Sequence, residues 1–316
     1  MTHAPLFITG GTGFLGRRVL RTLCARSVSD VRLLVRDPDA LAREMQLPSS
    51  WQLVPGTLAD VASWQSALEG VHTVLHLASS TGKVPRRVHH AVIVDGTESL
   101  VTAMREARVQ RLLFVSSVAA GFSRLSGYPY AQAKFAAEQC VLASGLQTLI
   151  LRPTLVFGEG SAVQEGLQRL AMLPVPLVFG DGGTLVQPVH VDDLAALLVL
   201  ALSPDCSWSR ETCTVGGPDV VSLEALLRRL RGASPTLRYL HLPIEPLRSL
   251  LALLEPALLP ILPFTAGQLS TFANTGVATA PCAMLASLIA ALPRPMRGLD
   301  AMLPPSPVAS VTARVG

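Results

Sequence analysis

"ITGGTGFLG" (residues 8–16) is the stretch that decides the fold. It follows a short apolar run, "PLFITG" (5–10), and opens "FLGRRVLRTLCARS" (14–27), whose apolar residues recur at helical spacing. Between strand and helix stand Gly10, Gly13 and Gly16, three apart. The first permits a tight turn and the second lets backbone amides approach a pyrophosphate. The third lets the helix pack close to the strand, and the phosphates then sit at the helix's positive end. A glycine pattern alone is weak, but at a strand-to-helix junction it reads as a dinucleotide site.

Working outward, the alternation continues through "VRLLVR" (31–36), "WQLVPG" (51–56), "VHTVLHLAS" (71–79), "RLLFVSS" (111–117) and "LQTLILRP" (146–153). Helical patterns separate these runs. Nearly continuous apolar strands alternating with helices predict a parallel sheet covered on both faces, an α/β, doubly wound architecture. The end of the second strand reports on the ribose. In "LLVRDPD", Arg36 favours a 2′-phosphate and hence NADP, while Asp37 would accept from a 2′-hydroxyl and favour NAD.

After residue 155 the rhythm changes. "VPLVFGDGGTLVQPVHVDDLAALLVLALS" (175–203) reads as strand, turn, strand, then a helix opened by Asp192 or Asp193. "CTVGG" (213–217) reads as a short strand. "VSLEALLRRLRG" (221–232) reads as a helix with Ser222 as cap and Gly232 as stop. The expected organisation is a dinucleotide-binding domain over 1–158, to which 185–216 returns. A smaller, mostly helical substrate region takes 159–184 and 217–300, and 301–316 form a loose tail. "PLRSLLALLEPALLPILPF" (246–264) holds Arg248, Glu255 and four prolines, so it is a poor membrane span. It reads as a buried helix pair or pocket wall, with a peripheral membrane contact or dimer face as the alternative.

Composition narrows the function. Hydrophobic residues make up 49% and charged residues 15%, so the chain has a large core to bury. Its basic residues are scattered and its few aromatics do not alternate with them, which argues against nucleic acid. The cysteines (Cys24, Cys140, Cys206, Cys213 and Cys282) are odd in number and form no CxxC pair, so neither a disulfide framework nor a metal site is expected. The histidines show no metal-ligand spacing either. The start of the chain has no secretory pattern, and a cytoplasmic location is the expectation.

"GYPYAQAKFAAEQC" (127–140) carries the second chemical signal. It holds two of three tyrosines and one of only two lysines, Tyr130 and Lys134, one helical turn apart. A chain with 24 arginines that keeps lysine here is using a compact charge with a movable pKa. A nearby ammonium would draw a phenol from about 10 toward neutrality and make it a usable acid/base.

"TGGTGFLG", "LHLAS" (75–79), "VDGT" (94–97), "FVSS" (114–117), "YAQAK" (130–134), "LRPTLVFGEG" (151–160) and "QPVHVDDLA" (187–195) together resemble the extended short-chain dehydrogenase/reductase family, of the NAD(P)-dependent epimerase/dehydratase type. The resemblance implies a Rossmann domain with a smaller C-terminal region. It implies a catalytic trio of Ser117, Tyr130 and Lys134, acting by hydride transfer on a secondary alcohol or ketone. It implies a dinucleotide held by Gly10, Thr12, Gly13, Phe14, Leu15 and Gly16, with Arg36, Asp60, Ala78, Lys134 and Pro153. Three positions depart from the family: Ile93 stands where an asparagine commonly holds a relay water, Thr57 where an aspartate contacts adenine, and Phe157 where a tyrosine is frequent. The gap of 13 residues from Ser117 to Tyr130 is short for a sugar-nucleotide epimerase. With the apolar 240–295 region, where only Arg238, Arg248, Arg294 and Arg297 could meet a diphosphate, this favours a hydrophobic substrate and, by family habit, a homodimer. The alternative is a non-catalytic NAD(P)H-binding scaffold resembling the nucleotide-binding subunit of respiratory complex I.

Overall fold

The computed structural model describes residues 5–123, 125–232, 239–258 and 265–303. Six strands form where the apolar runs predicted them: β1 (Leu6–Thr9), β2 (Val31–Val35), β3 (Gln52–Pro55), β4 (Thr73–His76), β5 (Arg111–Val115) and β6 (Gln147–Pro153). Residues in β1, β4 and β5 are buried throughout, as strands covered on both faces must be. A seventh strand, Glu211–Val215, pairs with β6, so the sheet runs β3-β2-β1-β4-β5-β6 and then Glu211–Val215, all parallel. Strand order reverses between β1 and β4. In an open α/β sheet a ligand crevice lies at such a switch point, outside the carboxyl ends of the strands.

Two cores cover the faces. On one, Leu20 and Leu23 of helix Phe14–Ala25 and Leu194 and Leu198 of helix Val191–Ala201 pack with Ile8, Leu33 and Leu113. On the other, Leu100 and Met104 of helix Gly96–Glu106 and Ala137 and Val141 of helix Pro129–Ala143 pack with Phe7, Val74 and Phe114. A π-helical turn, His90–Asp95, leads into Gly96–Glu106 and carries Ile93 into this second core.

A third core belongs to the smaller region. Leu167 and Leu170 of helix Ala162–Ala171 meet Leu226 and Leu230 of helix Leu223–Arg231, with Phe179 and Leu269 beside them. The cap signals read from sequence are present here. Ser222 Oγ accepts from Ala225 N at 3.1 Å, and Gly232 ends the helix at φ 79°. Helix Ile244–Leu258 packs against Ala266–Ala273. Its outward Leu253 is 77% exposed, and among the described residues no helix is long and apolar enough to cross a membrane. Residues 259–264 of the apolar segment, 304–316 of the expected tail, and Arg238 lie outside the described residues.

Two local expectations need correction. The strands within 174–190 do not pair with each other as a strand-turn-strand reading implies. Leu177–Phe179 pairs with Leu240–Leu242, Leu185–Val186 with Val221–Ser222, and Val189–His190 with Val156–Phe157. Neither Asp192 nor Asp193 caps its helix. His190 does, its Nδ1 accepting from Asp192 N at 3.2 Å. The two carboxylates fall in the first turn, where they complement the helix dipole and hold arginines. Asp193 Oδ2 accepts from Arg297 N at 2.7 Å, and Asp192 pairs with Arg297 at 3.1 Å.

Candidate active site

The glycine turn is shaped by contacts a side chain would destroy. Gly10 has φ 73°, and a Cβ there would collide with the backbone nitrogen of Ala78. A Cβ on Gly16 would strike the Gly10 carbonyl and come 2.6 Å from Gly11 Cα, so turn and helix start lie against each other. Gly11, which the three-apart reading passes over, is less constrained: a Cβ would meet the side-chain tip of Leu33 at 2.6 Å rather than backbone. The helix beginning at Phe14 has no side-chain cap and no acidic residue in its first turn. Its first amides therefore point, unsatisfied by side chains, into the crevice and suit a pyrophosphate.

A cleft of about 1110 Å³ opens at the switch point. It is lined by Gly10, Gly13, Phe14, Leu15 and Gly16 from the turn, by Ser117, Tyr130 and Lys134, and by Pro153 at the end of β6. Thus nine of the residues singled out from sequence meet in one cavity. Thr12, Arg36, Asp60 and Ala78 do not line it. Ala78 supports the turn from behind, as its contact with Gly10 requires. Arg36 is exposed directly after β2. Asp60 is exposed before a short 3-10 turn, its side chain making no cap bond.

Two elements hold the trio: the turn after β5 carries Ser117, and helix Pro129–Ala143 carries Tyr130 and Lys134. Ser117 follows β5 and caps the turn Val118–Gly121, its Oγ accepting from Ala119 N at 3.2 Å. Tyr130 sits in the first turn of helix Pro129–Ala143, started by Pro129 at a position where proline needs no partner for a missing amide. Its ring lies edge-on to His89, 5.7 Å between centroids, and tilted against Tyr128 at 6.0 Å. Lys134, one turn on, is 2% exposed. Its Nζ donates to the Val115 carbonyl at 2.8 Å and stands 4.9 Å from the centre of the Phe114 ring. One further turn along, Glu138 forms a two-pronged ion pair with Arg152 of β6, 2.8 Å at Nε and 2.5 Å at Nη2, which fastens the helix to the sheet beneath the site.

The electrostatics differ from the expected pattern. Burial pushes the Tyr130 phenol well above its ordinary value, with Tyr128 adding to the rise, while hydrogen bonds with Ser117 and Ser79 pull it partly back. Burial likewise lowers the Lys134 amine to about 7, and Glu138 restores a little. The expected effect of a full ammonium on the phenol is absent, because the same dry pocket that holds the amine discourages its charge. In the protein by itself the phenol keeps its proton.

Several cleft residues carry no local sequence signal. Ser79 hydrogen-bonds Tyr130 from the loop after β4. Ser116, next to Ser117 in "FVSS", lines the cleft with a buried hydroxyl that has no hydrogen-bond partner among the described residues. His89 packs on Tyr130, and its Nδ1 meets Ser80 Oγ at 2.9 Å. His76 is a core residue: it links Thr9 Oγ1 at 2.6 Å to Thr97 Oγ1 at 3.0 Å, and burial lowers it to about 3. Thr97 in turn donates to the Ile93 carbonyl at 2.5 Å. Ile93 itself is fully buried and does not line the cleft, so its side chain takes no part in the site.

Apolar side chains wall much of the cleft, Val84, Val118, Phe122, Val163, Leu167 and Phe272, beside the polar Thr81, Thr271 and Glu255. The three described arginines of the 240–300 region are engaged elsewhere: Arg248 with Glu245, Arg294 with Asp193, and Arg297 with Asp192 and Asp193. Besides Lys134, Arg86 and Arg87, exposed on a short helix, are the described basic residues that line the cleft.

Comparison with known proteins agrees with this geometry. Residues 6–216 match the model of the NAD dependent epimerase/dehydratase family. Among curated relatives, a 4-hydroxy-2-methyl-3-oxo-4-farnesyl-3,4-dihydroquinoline-1-oxide ketoreductase of Stigmatella aurantiaca is 34% identical over 216 residues, covering 62% of this chain and 63% of the relative. A ceramide reductase of Caulobacter vibrioides is 32% identical over 193 residues, covering 61% and 59%. The matches therefore span about six tenths of those relatives' own length. Among solved structures, gox2253 superposes with a TM-score of 0.64 at 27% identity, over 85% of this chain and 87% of that one. A dTDP-glucose 4,6-dehydratase from Streptomyces venezuelae shares the fold, with a TM-score of 0.62 at 23% identity over 75% and 84%.

Proposed function

The chain belongs to the NAD dependent epimerase/dehydratase family, and from that premise we propose that it is an NADPH-dependent reductase of a ketone on an apolar substrate. The observation that carries this reading is the meeting of Ser117, Tyr130 and Lys134 with the glycine turn in one cleft lined largely by apolar side chains.

The cradle fits a dinucleotide. The turn at Gly10–Gly16 leaves no room for a Cβ where backbone must approach, and the uncapped helix end offers amides to the pyrophosphate. Arg36 favours NADP, because Asp37 already spends a carboxylate oxygen capping the next helix, accepting from Ala40 N at 2.9 Å. When bound, the reduced nicotinamide supplies a hydride to the carbonyl carbon. Ser117 donates a hydrogen bond to the carbonyl oxygen and Tyr130 delivers its proton there. The phenol keeps its proton at neutral pH and so is available as the acid in carbonyl reduction. Lys134, lowered to about 7 by burial, takes up a proton more readily once a phenolate forms one turn away, and so offsets that charge.

The apolar wall and the prior engagement of Arg248, Arg294 and Arg297 favour a hydrocarbon-bearing ketone over a sugar diphosphate. The printed names of two relatives, with a farnesyl-bearing substrate and a ceramide, point the same way. A non-catalytic scaffold would gain nothing by burying Lys134, whose dehydration costs stability. The test is NADPH oxidation with long-chain ketones beside UDP-sugars. Turnover of the ketones supports the proposal; turnover confined to sugar nucleotides, or NADPH binding without turnover of any carbonyl, contradicts it.

A further inference from the structure

At the sheet edge farthest from β3, and outside the cleft, three potential metal ligands converge. Glu211 and Cys213 are two apart on the edge strand, so their side chains share a face. That face meets Cys282, the residue at the N-terminus of helix Ala283–Ala290. One carboxylate oxygen and the two sulfurs all lie within 4.8 Å of one another, and Cys282 Sγ donates to Glu211 Oε2 at 3.5 Å. Cys213 is buried, while Glu211 and Cys282 are partly open, so an ion has a route in. Among the described residues no arginine or histidine forms an ion pair with Glu211. The linear order conceals the group, because Cys213 and Cys282 lie far apart in sequence.

We propose that Glu211, Cys213 and Cys282 form a structural site for a thiophilic divalent cation, zinc by preference, that ties helix Ala283–Ala290 to the edge of the central sheet. Two thiolates and a carboxylate are a ligand set for zinc, with water completing the tetrahedron. Ligands at zinc bond lengths stand about 3.8 Å apart, so the present group closes around an ion with movements of roughly 1 Å or less. Binding transfers the two thiol protons to solvent, and the ion's double positive charge offsets two of the three negative ligand charges, leaving the site singly negative with no change of oxidation state.

The test uses the tag-free full chain, reduced and stripped with chelator, titrated with Zn²⁺ alone against a chromogenic chelator. Cys282→Ser and Glu211→Gln are run in parallel; both positions are partly exposed, and circular dichroism checks that each variant folds. Co²⁺ gives a second readout, the thiolate-to-cobalt charge-transfer band. The expected result is one Zn²⁺ per chain, held about 100-fold more tightly than by Cys282→Ser. Zinc should protect Cys213 and Cys282 from alkylation in peptide mapping and raise Tm in the native sequence only. The proposal is overturned if binding is not saturable, if both variants bind equally well, or if zinc instead protects Cys24, Cys140 or Cys206. A Cys213–Cys282 disulfide in air-exposed protein, with no zinc binding after reduction, also overturns it.

Discussion

The halves of the cleft are built in opposite ways. The half proposed for the dinucleotide is made of backbone: a turn with no room for side chains at Gly10 and Gly16, and a helix end that no side chain caps. The substrate half is made of side chains, gathered from the loop after β4, the turn after β5 and helices Ala162–Ala171 and Ala266–Ala273. Backbone geometry leaves a short-range mark on the sequence, since few residues can adopt it. A wall assembled from distant segments leaves none. One half of the site is therefore intolerant of the smallest change, and the other should accept many.

The same substitution in each half is the sharpest way to break this contrast. Gly10→Ala combines an unfavourable φ with a collision against Ala78, so the turn must open. NADPH binding should weaken by about 100-fold or more, read by quenching of nicotinamide fluorescence. Binding within a few-fold of native would refute the steric account of the turn. The next largest effect belongs to Lys134→Met, which should lower turnover by about 100-fold. This variant also carries a pH signature. The amine sits near 7 in the folded chain and at 10.5 when exposed, so between those values the unfolded chain holds a proton that the folded one does not. Stability should rise with pH across that window and be flat below it. Urea unfolding at the two ends of the window should find that rise in the native sequence and not in Lys134→Met.

Arg36→Ala should weaken NADPH by roughly 10- to 100-fold and leave NADH nearly unchanged, in parallel titrations of the two cofactors. An equal loss for both would assign Arg36 a structural role. Gly166→Ala, in helix Ala162–Ala171 of the substrate half, should have the smallest effect. A Cβ there meets nothing within 4 Å, and removing a helical glycine should stabilise the fold by about 0.5–1 kcal/mol, measured by denaturant midpoint. Destabilisation would mean the two halves are equally tight.

The same contrast explains what the sequence disclosed. β1 to β6 were legible because doubly covered strands are apolar throughout, and the Ser222 and Gly232 helix ends because caps are local chemistry. Tyr130 and Lys134 were legible because one helical turn joins them. Ser79 and His89 were not, since they act on Tyr130 from a loop and from a four-residue helix some forty residues or more earlier, too short to show periodicity. The strands Leu177–Phe179 and Leu185–Val186 were misread as partners because each is too short to state its pairing, which is set by segments over thirty residues away. The lowered Lys134 and raised Tyr130 were also hidden: spacing brings two groups together but does not reveal how dry their surroundings are.

The account rests on the separation of cofactor binding from proton delivery within one cleft. Tyr130→Phe removes a single oxygen from the substrate half and nothing from the glycine turn. NADPH affinity and ketone turnover measured on the same sample of this variant test it directly. The account predicts affinity within about 3-fold of native, with turnover down by 100- to 10,000-fold. Turnover close to native would contradict it, as would a loss of cofactor binding as large as the loss of rate.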